Sequence, residues 1–338
     1  MNALRSLAST KLTLFGMAML GIGAALSYDN PVNTPVWVLV IPMALLALNL
    51  FSAILTNGKI NRNSGLLLFH ISLLTIVILA AIGRLTHMEA RIELAEGSSF
   101  SRDELFDVKS GVFHNGSLDD VRFVQESYTV DYAPRLTRGS TRNSLRVLDA
   151  NDGWRQQVIG DDTPLVINGY RFYTTFNKGF STVLTWIPER GAPITGIVNM
   201  PSYPLFSFRQ ANSWSPPGSE EVKFWLQLDT GLSEEKAWTL DRNKTESKLV
   251  VKVANRRVEL NPGEAVQLSS GKLRYERLSS WMGYKLFYDP TLYWLFISAI
   301  FGIIGLSLHY WKKFGSLKVS AVEMPQVEDT ATKNIPVI

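Results

Sequence analysis

The sequence has no cysteine among its 338 residues. That absence excludes disulfide bonds, thiolate zinc sites, iron–sulfur clusters and a thiol nucleophile on this chain. It is compatible with an oxidising compartment, in which a free thiol would be a liability.

Charge is scarce as well, because charged residues make up 19% of the chain against roughly 25% in soluble domains. The shortage is local: residues 12–82 and 291–311 carry almost no charge, while 84–290 have an ordinary soluble composition. This excludes a wholly soluble enzyme and a transporter with all its mass in the bilayer. The net charge of +4 is small and scattered, which argues against nucleic-acid binding.

The common catalytic signatures are missing too. No HExxH zinc motif, Walker A loop, GxSxG elbow or GxGxxG fingerprint occurs. The acidic residues of 84–290 show no paired spacing that singles out a catalytic dyad. We therefore expect no self-contained hydrolase, kinase or NAD enzyme, and we assign no catalytic residue.

Four apolar stretches are long enough, or nearly so, to cross a bilayer, which takes about 20 residues of helix. The predicted spans run from about Leu12 to Leu26, Val36 to Leu55, Leu66 to Ile82 and Leu292 to Trp311. Basic residues before the first span resemble a signal peptide, but no Ala-x-Ala site precedes a soluble segment. We expect the first span to be retained.

Basic residues also predict the orientation of the spans. They flank the spans on one side only: Arg5, Lys11, Lys59, Arg62, Lys312 and Lys313. The loop on the other side, residues 28–35, has Asp29 and no lysine or arginine. We therefore expect a multi-pass protein of the bacterial inner membrane, with both termini in the cytoplasm and residues 84–290 in the periplasm.

Residues 84–290 show the pattern of strands rather than helices. Short runs of β-formers alternate with turn sequences such as Asn168-Gly169 and Ser270-Gly271. Strands are predicted near Val121–Tyr132, Ser144–Ala150, Gly169–Phe176, Ser181–Ile187, Val222–Asp229, Leu249–Ala254 and Lys272–Leu278. Residues 188–219, rich in Pro, Gly and Ser, are expected to form an exposed loop or a docking segment.

The sequence thus predicts an integral membrane protein in which four transmembrane helices flank one large, antiparallel β-rich domain, sandwich-like or barrel-like. Residues 1–83 hold three helices, 84–290 the periplasmic domain, 291–311 the fourth helix and 312–338 a disordered cytoplasmic tail. Asp289 is a good N-cap for the fourth helix, with Pro290 at its first position. The aromatic residues nearby are predicted to form an interfacial belt: Trp281, Tyr284, Tyr288, Tyr293 and Trp294.

His70 is the most informative residue of the spans. An ionisable side chain at membrane depth is costly, so it indicates a functional site by default. Neutral imidazole suits two roles here, a hydrogen bond to a neighbouring helix or an axial bond to haem iron. The residues alone leave both open.

Outside the third span, His87 is either an ordinary interfacial residue or part of a cofactor site. Arg84 and Arg91 could meet the propionates of a haem, since arginine pairs with carboxylates through two hydrogen bonds. His114 reads as an exposed loop residue, and His309 as a residue of the cytoplasmic interface with a haem contact as the alternative.

Three stretches together resemble the ResB (CcsB) family of cytochrome c biogenesis proteins. The first is Phe69–Leu74, which leads through Gly83 to Ile92–Gly97. The second is Asn143–Asp149 with Thr163–Leu165 and Gly169–Tyr173, and the third is Gly283–Pro290 before the last span. The chain departs from the family pattern in its short length and in Thr291, where a glycine is usual.

The resemblance implies a System II component of cytochrome c maturation that acts with a ResC (CcsA)-type membrane subunit. Such a complex moves haem b across the membrane and joins it to the Cys-x-x-Cys-His motif of an apocytochrome c. His70 matches the family's transmembrane haem ligand. The chain would then be a non-autonomous subunit of a haem-lyase-type synthase, whose external domain presents the apocytochrome.

Two other functions stay open at this stage. One is a cofactor-free, membrane-anchored periplasmic scaffold or sensor that binds only protein. The other is a stand-alone haem-binding redox protein, which would need two axial ligands on this chain, with His70 and His309 as the available pair.

Overall fold

A computed structural model of the chain describes residues 2–30, 33–148, 153–205, 208–253 and 256–315. The chain divides into two compact units. The helical unit holds the residues up to Ala24, Ile41–Ala80 and those from Tyr293 onward, and the β unit holds Ala25–Val40 and Ala81–Leu292.

The described α-helices are α1 (Asn2–Leu7), α2 (Thr10–Asp29), α3 (Trp37–Thr56), α4 (Gly58–Asn61), α5 (Ser64–Thr86) and α6 (Leu292–Gly315). The four long ones, α2, α3, α5 and α6, are apolar and long enough to cross a membrane. The prediction of three N-terminal spans and one C-terminal span is thereby confirmed. Helices α2, α5 and α6 are longer than the apolar runs that predicted them, because polar residues such as Arg84 and Thr86 continue the helix, whereas α3 has the predicted length.

Glycines bring α5 and α6 together in the helical unit. A Cβ atom added to Gly305 would lie 2.6 Å from the backbone nitrogen of Phe69, and one added to Gly65 would lie 2.6 Å from that of His309. Small residues allow this close approach, which is a common mode of helix association in membranes.

The fifteen described strands form the β unit. They are β1 (Met88–Ala95), β2 (Phe106–Ser110), β3 (Phe123–Ala133), β4 (Thr137–Leu148), β5 (Trp154–Ile159), β6 (Leu165–Ile167), β7 (Tyr170–Pro188), β8 (Ile194–Asn199), β9 (Ala211–Trp214), β10 (Val222–Asp229), β11 (Trp238–Leu240), β12 (Glu246–Val253), β13 (Arg256–Leu260), β14 (Ala265–Leu268) and β15 (Gly271–Tyr288).

The strands assemble into three sheets in which every described pairing is antiparallel. The largest follows the order β2-β1-β15-β7-β6, with β14 also on β15 and β8 also on β7. The others follow β13-β12-β10-β9 and β11-β3-β4-β5. The predicted antiparallel β-rich domain is therefore confirmed. Its first and last strands are partners, since β1 pairs with β15 from Met88 opposite Tyr288 onward.

Two residues of the predicted aromatic belt belong to the core of the β unit instead, so the prediction was wrong for them. Trp281 is 3% exposed, and its indole nitrogen donates to the carbonyl of Met200 at 2.9 Å. Tyr284 is fully buried, and its hydroxyl group contacts Gln125 and Asn143. Both lie on β15 rather than at its end, and only Tyr293 and Trp294 are exposed as a belt requires.

Other predictions for this part of the chain are also refined. Residues 188–219 are not one loop, because β8 and β9 lie within them. Asp289 does accept the amide hydrogen of Thr291 at 2.8 Å, as a capping residue does, but the helix begins at Leu292. Helix α6 continues to Gly315, and the rest of the predicted disordered tail lies outside the described residues.

Candidate functional site

One cavity of about 820 Å³ opens in the β unit among the end of α5, the strands β1, β2 and β15, and the end of α2 with the segment that follows it. We call it the basic cavity. Its ionisable lining residues are Arg84, His87, Glu89, Arg91, Asp107, Lys109 and Lys285. It thus brings together Arg84, His87 and Arg91, which the sequence singled out, with four residues that it did not.

Strand alternation explains why these charges share one face. Strand β1 buries its even-numbered residues from Met88 to Leu94, so Glu89 and Arg91 lie on its other face. Pairing then places Lys109 of β2 opposite Glu89, and Lys285 of β15 opposite Arg91. Residues far apart in the sequence therefore meet at the end of α5.

The basic cavity has more positive than negative charge. Four cationic side chains line it against two carboxylates, an excess of two positive charges. Arg91 pairs with Asp107 at 3.5 Å and Lys285 with Glu89 at 3.3 Å, and such solvent-accessible pairs are weak. Arg84 makes no ion pair within the described ranges, and its buried Nε atom has no hydrogen-bond partner. Because buried polar atoms are normally paired, Arg84 is suited to an acceptor on a ligand.

His87 is held in one tautomer by the helix end. Its Nδ1 atom lies 2.9 Å from the carbonyl oxygen of Arg84, which can only accept, so Nδ1 carries the hydrogen. Burial, and then the nearby Arg84 guanidinium, lower the pKa of His87 below its usual value. The ring is therefore neutral at pH 7, and its Nε2 atom carries a lone pair on the wall of the cavity.

His70 has the same tautomer inside the helical unit. Its Nδ1 atom donates to the carbonyl of Leu66, one turn earlier in α5, at 2.7 Å. This bond orients the ring and leaves the lone pair on Nε2, as a metal-binding imidazole requires. His70 is half-buried, and its ring meets Phe69 edge-on at 5.4 Å. The sequence left open a hydrogen bond from His70 to a neighbouring helix. In the structure the Nδ1 atom of His70 bonds instead to a carbonyl of its own helix, α5.

His114 is not the exposed loop residue that the sequence predicted. Its Nδ1 atom donates to the carbonyl of Thr86 at 2.9 Å, and its Nε2 atom accepts from the hydroxyl of Tyr170 at 3.0 Å. The ring also packs against Tyr288 at 5.1 Å. Both nitrogens are occupied, so His114 has a structural role and no free lone pair.

His309 lies where α6 crosses α5, and its Nδ1 atom is buried without a hydrogen-bond partner. Among the described residues, no cluster of three or more His, Cys, Asp or Glu side chains is arranged to hold a metal ion.

Sequence reasoning missed Glu89, Asp107, Lys109 and Lys285. The one available signal was the alternation at positions 87, 89 and 91, which places three polar side chains on one face of a strand. The partners of that face depend on pairing between distant strands, and no local pattern indicates it.

The helices and sheets together define a membrane protein whose last two spans, α5 and α6, are joined by an antiparallel β unit. The model of the ResB-like family matches residues 57–203, which include α5, the whole of β1 and the first two of the three motifs. The resemblance to the ResB family that the motifs indicated is confirmed over this part of the chain.

Two further comparisons add little. No curated protein matches the sequence. Among solved structures, one described as "Cytochrome c Heme Lyase CcmF" aligns with 90% of this chain at 12% identity and a TM-score of 0.28. This chain spans 35% of that protein, and the similarity is too low to carry an argument about fold or function.

Proposed function

We propose that the chain is a membrane subunit of cytochrome c maturation that handles haem together with a ResC (CcsA)-type partner. The observation that carries this proposal is the match to the ResB-like family over residues 57–203. The basic cavity and the two histidines with a free Nε2 atom support it.

Haem enters this proposal as cargo, and its chemistry fits the basic cavity. Its two propionates carry two negative charges, equal to the excess of positive charge in the lining. Arg84, with its unpartnered buried nitrogen, is the first candidate to bind a propionate, and Arg91 is the second. A cavity of about 820 Å³ lies in the usual size range of small-molecule sites.

The two histidines would act at different positions of the chain. We assign His70 as a ligand to haem iron within the membrane and His87 as a contact at the basic cavity. Both rings are fixed through Nδ1 to a helix carbonyl, so neither has to reorient before Nε2 can bind. The partner subunit would supply the second axial ligand of the haem iron that His70 binds.

The reaction itself needs no nucleophile from this chain. Each thiol of the apocytochrome adds across a haem vinyl group, forming one carbon–sulfur and one carbon–hydrogen bond with no leaving group. The contribution of this chain is to hold the reactants in position, which is worth several kcal/mol when the geometry is good. A subunit without cysteine is consistent with that division of labour.

The apocytochrome is proposed to bind the β unit by strand addition. Strand β9 is at the end of the sheet β13-β12-β10-β9, so one of its edges is open within the described part of that sheet. The substitution Ser213→Pro, in β9, would test this, and Ser215→Pro, just after the end of β9, is the control. Loss of maturation only with Ser213→Pro is expected, and equal maturation in both variants would contradict it.

An absorption spectrum of the purified full-length chain, produced with its candidate partner, tests the haem proposal. We expect a Soret band with b-type α and β bands. The substitutions His70→Ala and His87→Ala should change band positions if the imidazole binds iron. Arg84→Gln should weaken haem binding by on the order of tenfold to a hundredfold without moving the bands, since a hydrogen bond to a charged group contributes about 1.5–3 kcal/mol.

His114→Asn is the control, because it removes an imidazole whose nitrogens are both occupied while keeping a donor for Thr86. It should leave the spectrum unchanged. A haem-free wild-type complex, or a spectrum that none of the three test substitutions alters, would contradict the proposal. Either result would favour the cofactor-free scaffold.

A further inference from the structure

The end of α5 is capped by a turn from elsewhere in the β unit. Residues Gly111–His114 form this capping turn, which follows β2 directly. The amide of Gly111 donates to the carbonyl of His87 and that of Phe113 to the carbonyl of Leu85, both at 2.8 Å. Between these two bonds, the His114 ring donates to the carbonyl of Thr86 at 2.9 Å.

Three successive carbonyls at the helix end therefore receive donors from one turn. The last carbonyls of a helix have no partner within it, and they must otherwise be hydrated. Gly111 makes the close contact possible, because a Cβ atom there would lie 2.2 Å from the Leu85 carbonyl oxygen. The capping turn is thus fixed at the depth of the last turn of α5.

The capping turn exposes two large apolar side chains, which is unfavourable if the turn is surrounded by water. The side chain of Val112 is 61% exposed and that of Phe113 is 59% exposed. The two residues are adjacent, and the backbone of Phe113 makes one of the capping bonds. Both are apolar, and Ile82 in the last full turn of α5 is also exposed. Exposed apolar side chains are therefore found both near the end of the spanning helix and on the turn bonded to that end.

The length of α5 places that surface at the membrane boundary. Its 23 residues extend about 35 Å, whereas the hydrocarbon core of a bilayer is about 30 Å thick. The end of α5 therefore reaches the headgroup region, and a turn bonded to its last carbonyls lies at the same level. Phenylalanine and aliphatic side chains are favourable there with their apolar parts facing the acyl chains.

We propose that Val112 and Phe113 insert into the membrane interface beside α5, so that the capping turn is a second, non-helical membrane contact of this chain. The occupant of this surface is phospholipid, because the turn is hydrogen-bonded to the end of a spanning helix and lies at the level of the headgroups. The contact would hold the wall of the basic cavity, through β2, at a fixed height above the bilayer. The inference does not depend on haem binding.

The absence of cysteine allows a direct test with one spin label per molecule. Val112→Cys and Val158→Cys are a matched pair, since Val158 on the edge strand β5 is 60% exposed. The full-length labelled protein would be placed in nanodiscs of phosphatidylcholine and phosphatidylglycerol. Collisions of the label with oxygen, which concentrates in lipid, and with a water-soluble nickel chelate are then compared.

We expect the ratio of oxygen to nickel accessibility to be several-fold higher at position 112 than at position 158, and Phe113→Cys to behave like position 112. Equal ratios at 112 and 158 would place the turn in water and overturn the inference. Low accessibility to both reagents at 112 would mean that protein covers the turn, and it would overturn the inference equally.

Discussion

Lys178 is the one lysine, arginine or acidic residue that is buried within the described part of the chain, at 1% exposure. Its ammonium group lies 5.8 Å from the centre of the Phe176 ring, and the Arg138 guanidinium lies 4.4 Å from the same ring. Asp161 pairs with Arg138 and also favours the charged form of Lys178, so one carboxylate acts on both cations. Burial first, and then Arg138, lower the pKa of Lys178 from 10.5 to about 7.

This pKa shift makes the stability of the β unit depend on pH. Between about pH 7 and 10.5 the unfolded chain binds a proton at Lys178 that the folded chain does not. The free energy of unfolding should therefore rise with pH across this window and fall as the pH drops towards 7. Below the pKa of Lys178 in the folded chain, Lys178 is protonated in both states, so the destabilisation caused by its buried charge no longer changes with pH.

We expect Lys178→Met to raise the melting temperature at pH 7, by about 2–4 °C for each kcal/mol recovered, and to lose this advantage near pH 10. Tryptophan fluorescence of the full chain during heating would measure it. Lys223→Met on the exposed side of β10 is the control and should leave the melting temperature unchanged at either pH. A gain that is the same at both pH values would show that packing, rather than ionisation, is the cause.

At the scale of elements, a closed hydrogen-bond triangle joins two sheets of the β unit. The Tyr284 hydroxyl on β15 donates to Gln125 on β3 and accepts from Asn143 on β4. Gln125 in turn donates to Asn143 at 2.8 Å. All three side chains are buried, so each polar group depends on the others.

Tyr284→Phe should reduce the free energy of unfolding by roughly 1–3 kcal/mol for each partner left unpaired. Chemical denaturation of the full chain, followed by fluorescence, would measure it. Tyr275→Phe is the milder comparison, because Tyr275 contacts the hydroxyl of Ser247, which is nearer to solvent. An equal loss in both variants would mean that the triangle adds nothing beyond an ordinary buried hydroxyl.

The crossing of α5 and α6 offers a second test at this scale. Gly305→Ala places a methyl group 2.6 Å from the Phe69 backbone, where only a shift of the helices can relieve the clash. Gly302→Ala, one turn earlier, meets only the Ser72 Cβ atom at 3.5 Å. We expect the first variant alone to lower the melting temperature in detergent and, if His70 binds haem, to weaken the Soret band.

At the scale of the whole molecule, the charge pattern predicts which face of the membrane each segment occupies. Single cysteines at Lys59, in α4, and at Val158, on β5, report on the two sides without a background thiol. A membrane-impermeant maleimide added to spheroplasts should label Val158→Cys at once. It should label Lys59→Cys only after the membrane is made permeable, and the reverse result would invert the proposed orientation.

The sequence predicts the helices better than it predicts the site. An apolar run long enough to span a membrane is a local property, so α3 and α5 could be placed to within a few residues. Trp281 and Tyr284 were misplaced because aromatic residues near a span have the same composition in a belt and in a core. Lys285 reaches the basic cavity only through the pairing of β15 with β1, which no short pattern reveals.

The pairing of Met88 with Tyr288 has a consequence for how this protein can vary. Because the strands that begin and end the β unit are neighbours, residues added or removed between them leave the distance from Thr86 to Leu292 unchanged. In topological terms the β unit is an insertion between α5 and α6 whose two ends are adjacent, and changes of length inside such an insertion are well tolerated. Shortened variants of this chain are then expected to fold if they lose hairpins outside the β1–β15 pair and keep β1, β15 and the residues between α5 and β2.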